Sequence, residues 1–432
     1  MAGVPEPNRR LVTEKKPARR SEAERDHDRV LYTTALQRLA GITQIAAPEA
    51  GVTIHNRLTH TLKVAQVARR LAKQIGLAVD RQEVAAAAAL AHDLGHPPFG
   101  HLAEVKLNKR AEPWGGFEGN AQSFRIVNFL ALRTDAYRGL NLTRRTLNAI
   151  LKYPWTQNLS DPKKAEKWGA YETERRAFDF ARTGSTADDR SLEAEIMDWS
   201  DDVTYAVHDL EDFFRLGLIP LDRLASSDDS ERRRFTASFY EDRLKRTKLR
   251  EKFTAAKLSE HDLQAAVARL FTDSTAPFGL IDPYRGGRRD RTNLRYQTSY
   301  LIGRFVNAAT RNGETLDIAR EELAEVAVLK ELAWFYVITD PSLSTIQRGQ
   351  ERVIDELHKI FVDAALDTKG GANLFPLAQR ELLERIRIPN EARRVATDFV
   401  AGLTEAMAYE LHHRLTGVSS RSILDAAARA SR

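Results

Sequence analysis

The chain has 432 residues, 42% of them hydrophobic and 29% charged, which is typical of a folded globular protein and is long enough for one large domain or a few ordinary ones. It has no cysteine, which excludes a disulfide scaffold, thiol catalysis and any thiolate metal site. The net charge of +6, from 66 Lys and Arg against 60 Asp and Glu, is compatible with polyanionic ligands such as nucleotides and nucleic acids.

The first residues carry no apolar signal-peptide core, and no uncharged apolar run reaches the roughly 18–20 residues that a membrane span needs. We therefore predict a cytoplasmic protein with no membrane contact. Residues 1–27 are mostly polar and rich in arginine and lysine, so we predict a flexible basic arm there.

From Asp28 onward the apolar residues follow helical spacing almost throughout, for example over 60–76, 83–96 and 191–217. Segment 83–96 is so rich in alanine that we expect a buried, closely packed helix. We predict an all-α fold, either as one domain or as a helical core over residues 28–220 with a helical extension over residues 221–432 that completes the same globular unit.

Histidines cluster in one short part of the chain, since five of the 11 fall within residues 55–101: His55, His60, His92, His96 and His101. His92 and Asp93 end the alanine-rich helix, where buried polar groups are costly unless a metal or hydrogen bonds satisfy them. With His60 on the preceding helix and Asp201 or Asp202 on a later one, three helices could bring two imidazoles and two carboxylates to one divalent ion. A lone histidine on a helix is more often structural, so only the ordered set carries this hypothesis.

Several longer segments resemble one known family. They are HNRLTHTLKVAQVAR (55–69), LAHDLGHPPFGHLAE (90–104), FEGNAQSFRIV (117–127), LKYPW (151–155) and IMDWSDDVTYAVHDLED (196–212). Together they are similar to the deoxynucleoside triphosphate triphosphohydrolases of the HD superfamily, often called dGTPases. The similarity runs from about Asp28 to Pro220 and continues more weakly to the C-terminus; LAHDLGHPPFGH is its most specific part.

The resemblance implies an HD-domain core in which a divalent metal, one per active site, is held by His60, His92, Asp93 and Asp201. We favour Asp201 over Asp202 because Asp201, Tyr205 and Asp209 lie at i, i+4 and i+8, on one stripe of a helix. Mixed nitrogen and oxygen ligands suit Mn²⁺, Mg²⁺, Fe²⁺ or Co²⁺ better than a closed structural zinc site.

The family's reaction is attack of water on the α-phosphorus of a dNTP, which gives a deoxynucleoside and inorganic triphosphate. His101 and Glu104, three residues apart on one predicted helical face, form a candidate catalytic pair, and the resemblance adds His96 on the phosphate side. The sequence leaves open whether His101 protonates the leaving group or aligns the attacking water. The plainer alternative is that His101 only caps a turn and that Glu104 is solvated.

Further residues match substrate contacts of the family. They are Arg57, Lys152, Tyr153 and Lys167 near the triphosphate, Asn120 and Gln44 on the substrate side, Tyr205 under the sugar and Asp209 at its 3′-hydroxyl. A tyrosine at position 205 would crowd a 2′-hydroxyl and so favour deoxyribose. For Lys152 and Lys167 the alternative is an ordinary solvated surface.

The chain departs from the family at Ile42, where a lysine is common, and at Glu405 and Ala406, where an Asp-Arg pair is common. The basic stretches 243–252 and 285–291 are either solvated faces or contacts for an effector nucleotide or single-stranded DNA. Relatives generally form homo-oligomers, often hexamers. Competing functions are another HD nucleotidase or phosphodiesterase, and a nucleotide-binding regulator without catalysis.

Overall fold

The computed structural model of the chain describes residues 9–14, 19–44, 55–186, 188–245, 258–279, 281–338 and 341–417. They form two compact units. Unit 1 comprises Met1–Gly95 and Glu118–Thr345, and unit 2 comprises His96–Phe117 and Ile346–Arg432.

Helices dominate both units. In the described part of unit 1 they are α1 Glu22–Leu31, α2 Thr34–Arg38, α3 Arg57–Gln74, α4 Val79–Ala91, α6 Gly119–Arg125, α7 Arg144–Ile150, α8 Pro162–Glu166, α9 Arg175–Arg182, α10 Leu192–Thr204, α11 Leu210–Arg215, α12 Leu221–Leu224, α13 Ser230–Lys245, α14 Glu260–Phe271, α15 Arg288–Asn307 and α16 Arg320–Ala333. Three π-helical turns extend helices of this unit: Ile126–Leu130, Tyr205–Asp209 and Trp334–Ile338. Helices of unit 2 are α5 His101–Ala111, α17 Pro341–Leu366 (from Ile346 onward), α18 Leu377–Arg385, α19 Pro389–Ala401 and α20 Glu405–Leu415. Short 3₁₀ turns lie at Leu39–Gly41, Glu112–Trp114, Glu172–Glu174 and Gly371–Leu374.

The predicted all-α fold is confirmed, with one small addition in the described part of the chain. Strands β1 Ala309–Asn312 and β2 Thr315–Ile318 form an antiparallel hairpin in which Ala309 pairs with Ile318. Its turn uses Gly313 at φ 61°, and Leu316 N donates to Glu195 on α10 at 2.7 Å. None of the described helices combines the length and the apolar character that crossing a bilayer requires.

The centre of unit 1 is the alanine-rich helix α4, which packs against α1, α3, α7 and α10. Residues 85–89 are all alanine and all fully buried. Alanine has no side chain beyond Cβ, so the neighbouring helices approach α4 closely, and its end, which carries His92 and Asp93, is fixed by backbone packing.

The two units divide the chain differently from the predicted boundary at residue 220. Leu221, Leu224 and Phe235 belong to the same buried cluster as α3 and α4, and this cluster continues to Val337. The chain instead leaves unit 1 after Gly95 and returns to it at Glu118. Helical periodicity does not record which helices share a core, so it does not predict that residues 96–117 belong to a second unit.

The described parts of the predicted flexible arm, residues 9–14 and 19–27, contact the rest of unit 1. Arg10 is buried and binds Glu22 and Asp26 at 2.6 Å each. Asp26 also accepts from the backbone nitrogen of Thr143 at 2.8 Å. The basic character that suggested an arm is thus used here in buried ion pairs; residues 1–8 and 15–18 lie outside the described residues.

Gly95 ends the turn after α4 where it meets α6. A Cβ atom at Gly95 would overlap the backbone oxygen of Gly119 and the backbone nitrogen of Ser123. Ser123 Oγ accepts from Gly95 N at 2.8 Å and donates to His92 O at 2.9 Å. These contacts hold the His92–Asp93 turn against α6 through backbone atoms, which cannot move aside as a flexible side chain can.

Unit 2 has its own core, built from α5, α17, α19 and α20 around a triangle of Phe361, Phe375 and Phe399. His358 lies in this unit at 2% exposure, stacks on Trp114 and bonds to Thr397 Oγ1 at 3.1 Å. Burial, with the nearby charge of Arg110, lowers the pKa of His358 to about 4. A buried neutral imidazole therefore belongs to the folded state of unit 2.

We predict that Gly95→Ala destabilises the protein by about 1–3 kcal/mol or more, because the added methyl group meets backbone and not a movable side chain. The matched control is Gly303→Ala within α15, where the new Cβ has only Arg70 Nη2 at 3.7 Å and should be neutral or slightly stabilising. Thermal denaturation of both variants tests this, and equal melting temperatures would contradict it.

We predict that His358 makes the protein less stable as the pH falls from about 6.5 to 4. Its folded pKa is depressed, so above the unfolded value of about 6.5 both states are neutral; below it only the unfolded state takes up the proton. The loss reaches about 3 kcal/mol near pH 4. Calorimetric melting of the wild type and His358→Gln between pH 7 and 4.5 should show a shallower decline for the variant, and parallel curves would refute the assignment.

Candidate functional site

Three helices of unit 1 bring the predicted metal ligands together. His60 on α3 and His92 and Asp93 at the end of α4 offer ligand atoms that all lie within 4.8 Å of one another. Asp201 on α10 joins them, since its Oδ1 is 3.0 Å from His60 Nε2 and 3.5 Å from His92 Nε2. His92 Nε2 is also 3.5 Å from Asp93 Oδ1. Two imidazoles and two carboxylates thus converge on one point.

The donor set fits a divalent cation. His92 Nδ1 bonds to the Ala89 carbonyl oxygen at 2.6 Å, which fixes the tautomer and leaves Nε2 as the nitrogen that faces the carboxylates. His92 Nε2 is buried and makes no hydrogen bond with the described residues. A buried nitrogen without a partner is costly, and a metal bond is one way to satisfy it.

Electrostatics of the cluster also favours a positive charge. Burial alone lowers the pKa of His92, but the carboxylates of Asp93 and Asp201 outweigh it and raise that pKa to about 9. Burial raises the pKa of Asp201, yet His92, His60 and Lys152 hold it well below its usual range. The two carboxylates therefore favour a positive charge beside His92, which a divalent cation would also provide.

The start of α3 positions the predicted residues Arg57 and Gln44. Asn56 caps the helix by accepting from Thr59 N at 2.9 Å, and Thr43 pairs with Asn56 in an isolated antiparallel bridge. Arg57 Nη1 donates to Asp93 Oδ2 at 2.8 Å, and both side chains are buried. Gln44 follows the bridge, and its Oε1 is buried and has no hydrogen-bond partner among the described residues.

Acidic residues form a row on α10 and are met by lysines from elsewhere in the chain. Lys152 Nζ lies 2.6 Å from Asp198 Oδ1 and 3.7 Å from Asp201 Oδ2, while Lys330 on α16 bonds to Asp202. The side chains of these residues are 21–29% exposed, so each of them is partly accessible to solvent. Burial lowers the pKa of each lysine, but the carboxylates raise it, so both stay charged.

Tyr205 and Asp209 lie at the two ends of a π-helical turn that continues α10. The predicted stripe at i, i+4 and i+8 assumed α-helical spacing, and the wider π turn alters that geometry beyond Tyr205. Asp209 is buried, its Oδ2 has no hydrogen bond with the described residues, and burial and the charge of Asp212 raise its pKa well above the usual value. Such an atom is available to a bound hydroxyl group.

A third group of predicted residues meets at Glu118, the residue that caps α6. Asn120 Nδ2 donates to Glu118 Oε1 at 2.9 Å, and Lys167 Nζ donates to the same oxygen at 3.0 Å. Tyr153 packs against Trp155, whose indole nitrogen donates to the Lys167 carbonyl oxygen at 2.7 Å. Lys167 is thus held by a buried carboxylate, which the solvated-surface alternative did not anticipate.

The predicted catalytic residues lie in unit 2. His101 begins α5, and its Nδ1 is 2.9 Å from Glu104 Oε2. The His101 side chain is 78% exposed while that of Glu104 is 7% exposed, and the His96 ring lies 5.6 Å from the His101 ring. The preceding turn holds Phe99 at φ 67°, a strained conformation for a bulky residue.

Sequence reasoning missed three charged residues of the site in unit 1: Glu118, Asp198 and Lys330. Glu118 could have been found as a capping acid before the predicted helix of FEGNAQ. Lys330 follows the apolar stretch Val326–Leu329, but Glu325 and Glu331 flank it on the same helix, so its surroundings look like those of an ordinary solvated lysine. Asp198 carries no comparable signal, because helices expose many such acids.

The predicted basic stretches add little to the site. Residues 243–245 end α13 but their side chains are not described, and residues 246–252 lie outside the described residues. In 285–291, Asp290 accepts from the backbone nitrogens of Arg285 and Gly287 at 3.0 and 3.1 Å and so shapes the start of α15. The arginines there are exposed.

Comparison with known proteins points to one family. The model of the HD domain matches residues 57–206, and that of the phosphohydrolase-associated domain matches residues 316–414. The chain is 37% identical to a deoxyguanosinetriphosphate triphosphohydrolase-like protein of Streptomyces coelicolor over 96% of this chain and 95% of the relative. A protein of the same description from Corynebacterium efficiens is 36% identical over 93% and 92% of the two chains. One from Vibrio cholerae is 44% identical over 47% of this chain and 49% of its own.

We predict that Asp201→Asn lowers the affinity for Mn²⁺ by at least about tenfold, because the amide removes the charge next to both imidazoles. Asp202→Asn is the matched control: it makes the same change one residue further on α10, where the side chain pairs with Lys330, and affinity should change by less than about threefold. Calorimetric titration with Mn²⁺ measures both, and similar losses would show that Asp201 has no special place in the site.

Proposed function

Because the chain belongs to the family of deoxyguanosinetriphosphate triphosphohydrolase-like proteins, we propose that it hydrolyses deoxynucleoside triphosphates to deoxynucleosides and inorganic triphosphate. Family membership makes it a phosphohydrolase of nucleotides; the dNTP substrate and the triphosphate product are the proposal. The observation that carries the proposal is the convergence of His60, His92, Asp93 and Asp201 from three helices. A nucleotide-binding regulator has no need of such a buried set.

A divalent cation held by these four residues would withdraw charge from a phosphate oxygen and lower the pKa of water. The chain's own residues have separate tasks. Arg57 is bonded to Asp93 and Lys152 lies beside Asp198 and Asp201, so two cations border the cluster where a triphosphate, with close to four negative charges, needs them. Both are already ordered by carboxylates, so little reorganisation accompanies binding.

His101 is the proposed proton donor or water-aligning base, with Glu104 as its positioning partner. The bond from Glu104 to Nδ1 orients the imidazole and leaves Nε2 directed away from that carboxylate. In the reaction the oxygen of water forms a bond to the α-phosphorus and the bond from phosphorus to the 5′ oxygen breaks. A proton must reach the 5′ oxygen of the deoxynucleoside, whose alkoxide is otherwise a poor leaving group.

Sugar recognition is assigned to the π-helical turn. Tyr205 presents a ring that would crowd a 2′-hydroxyl, and Asp209 offers a buried oxygen without a partner among the described residues for the 3′-hydroxyl. The raised pKa of Asp209 lets this carboxyl group either donate or accept a hydrogen bond, which an ordinary exposed aspartate at neutral pH does not do.

The test is a screen of the purified chain with the four dNTPs, singly and in pairs, in Mn²⁺, Mg²⁺, Fe²⁺ and Co²⁺. We expect release of inorganic triphosphate and deoxynucleoside. Hydrolysis in ¹⁸O-labelled water should place the label in triphosphate, because attack is at phosphorus and not at the 5′ carbon. Formation of pyrophosphate, or activity on nucleoside monophosphates or cyclic nucleotides alone, would refute the assignment.

We predict that Asp93→Asn reduces turnover by about 10³-fold or more, because it removes a proposed ligand and the partner of Arg57. Asp80→Asn is the control, since Asp80 is exposed in the first turn of the same helix, and its turnover should match the wild type. Circular dichroism of both variants separates loss of activity from loss of fold. Full activity of Asp93→Asn would remove the metal set from the mechanism.

A further inference from the structure

Lys330 is a charged residue that no part of the proposed mechanism uses. We propose that it is a positioning residue that fixes the ring of Tyr205 and thereby sets the discrimination of this site between deoxyribose and ribose. The inference depends on the proposed function and deepens it, because it names the residue that enforces the choice of sugar.

The first observation is geometric. Helix α16 packs against the π-helical turn Tyr205–Asp209, and Lys330 lies in the last turn of α16. Its Nζ lies over the Tyr205 ring, 5.7 Å from the ring centroid, and also bonds to Asp202. Asp202 and Tyr205 are three residues apart, so a single ammonium group holds two neighbouring positions on one face of the helix.

The second observation is where Lys330 does not act. Lys152 already lies beside Asp198 and Asp201, whereas Asp202 lies outside the candidate metal set. Lys330 is therefore not required to balance the charge of the ligands. Its second contact, the face of Tyr205, is an attraction between a cation and an aromatic ring that depends on ring orientation.

The third consideration is mechanical. A ring excludes a 2′-hydroxyl only if it cannot move aside, and an error of about 1 Å in such a wall is enough to admit an oxygen atom. Tyr205 starts a π-helical turn, which departs from regular α-helical spacing. The ammonium group on one face of the ring, anchored by Asp202, restricts the ring from the side of α16.

The experiment compares Lys330→Met, which keeps the length and removes the charge, with Lys330→Arg, which keeps the cation. The measured quantity is the ratio of kcat/KM for the preferred dNTP to that for its ribonucleotide counterpart. We expect Lys330→Met to reduce this ratio by about tenfold, which corresponds to the loss of one oriented contact between a cation and an aromatic ring. The reduction should come mainly from a lower KM for the ribonucleotide. Lys330→Arg should keep the ratio within about threefold.

A contact between Lys330 and phosphate, or a merely structural role, predicts a different result. Both would lower kcat/KM for the two nucleotides equally and leave the ratio unchanged, and that outcome overturns the proposal. Asp202→Asn adds a second route to the same test: it removes the anchor of Lys330 without changing the cation, and the ratio should fall by an intermediate factor. If Lys330→Met does not fold, Lys330→Arg and Asp202→Asn carry the comparison.

Equilibrium binding separates this inference from the proposed function. Calorimetric titration of the full chain in EDTA compares the Kd of the deoxynucleotide with that of the ribonucleotide and involves no turnover. Tighter binding of the deoxynucleotide by the wild type, reduced in Lys330→Met and kept in Lys330→Arg, supports the role of Lys330 even if no triphosphate is ever released. A wild type that binds both nucleotides equally, or neither, overturns it.

Discussion

Two carboxylates, Asp93 and Asp201, share the end of a buried helix bundle with the imidazoles of His60 and His92, and this concentration of negative charge governs the chemistry of unit 1. Carboxylates in such a setting are stable only with compensating positive charge. The protein supplies some of it from Arg57 and Lys152 and raises the pKa of His92 above neutrality. The remainder is what a divalent cation and the groups that bind with it contribute.

Carboxylates on α10 outside the candidate metal set are also paired with positive charges. Asp198 and Asp202 each meet a lysine from a distant part of the chain, so the acidic face of this helix is bonded at every member of the row. Glu118 plays a similar part for Asn120 and Lys167. A network in which each charged group has a defined partner is rigid before any ligand arrives, which is the condition for discriminating between closely similar substrates.

The helical fold class could be predicted from the sequence because apolar spacing reports secondary structure directly. A candidate metal set could be predicted because His92 and Asp93 occur in the dense motif LAHDLGH, and the structure brings His60, His92, Asp93 and Asp201 close together. The grouping of helices could not be predicted, since the excursion of residues 96–117 into a second unit leaves no trace in periodicity. The proposed role of Lys330 could not be predicted from the sequence, because it depends on the packing of α16 against the π-helical turn.

The alanines of helix α4 limit which substitutions the site in unit 1 can tolerate. Its five consecutive buried alanines have no side-chain atom beyond Cβ that could change conformation, so the spacing between α3, α4 and α10 depends on the main chain. Any heavier residue there would spread those helices and draw the imidazoles away from the carboxylates. The distance between the imidazoles and the carboxylates is therefore set by how closely the main chains of these helices pack, and not by a side chain that could be exchanged for another.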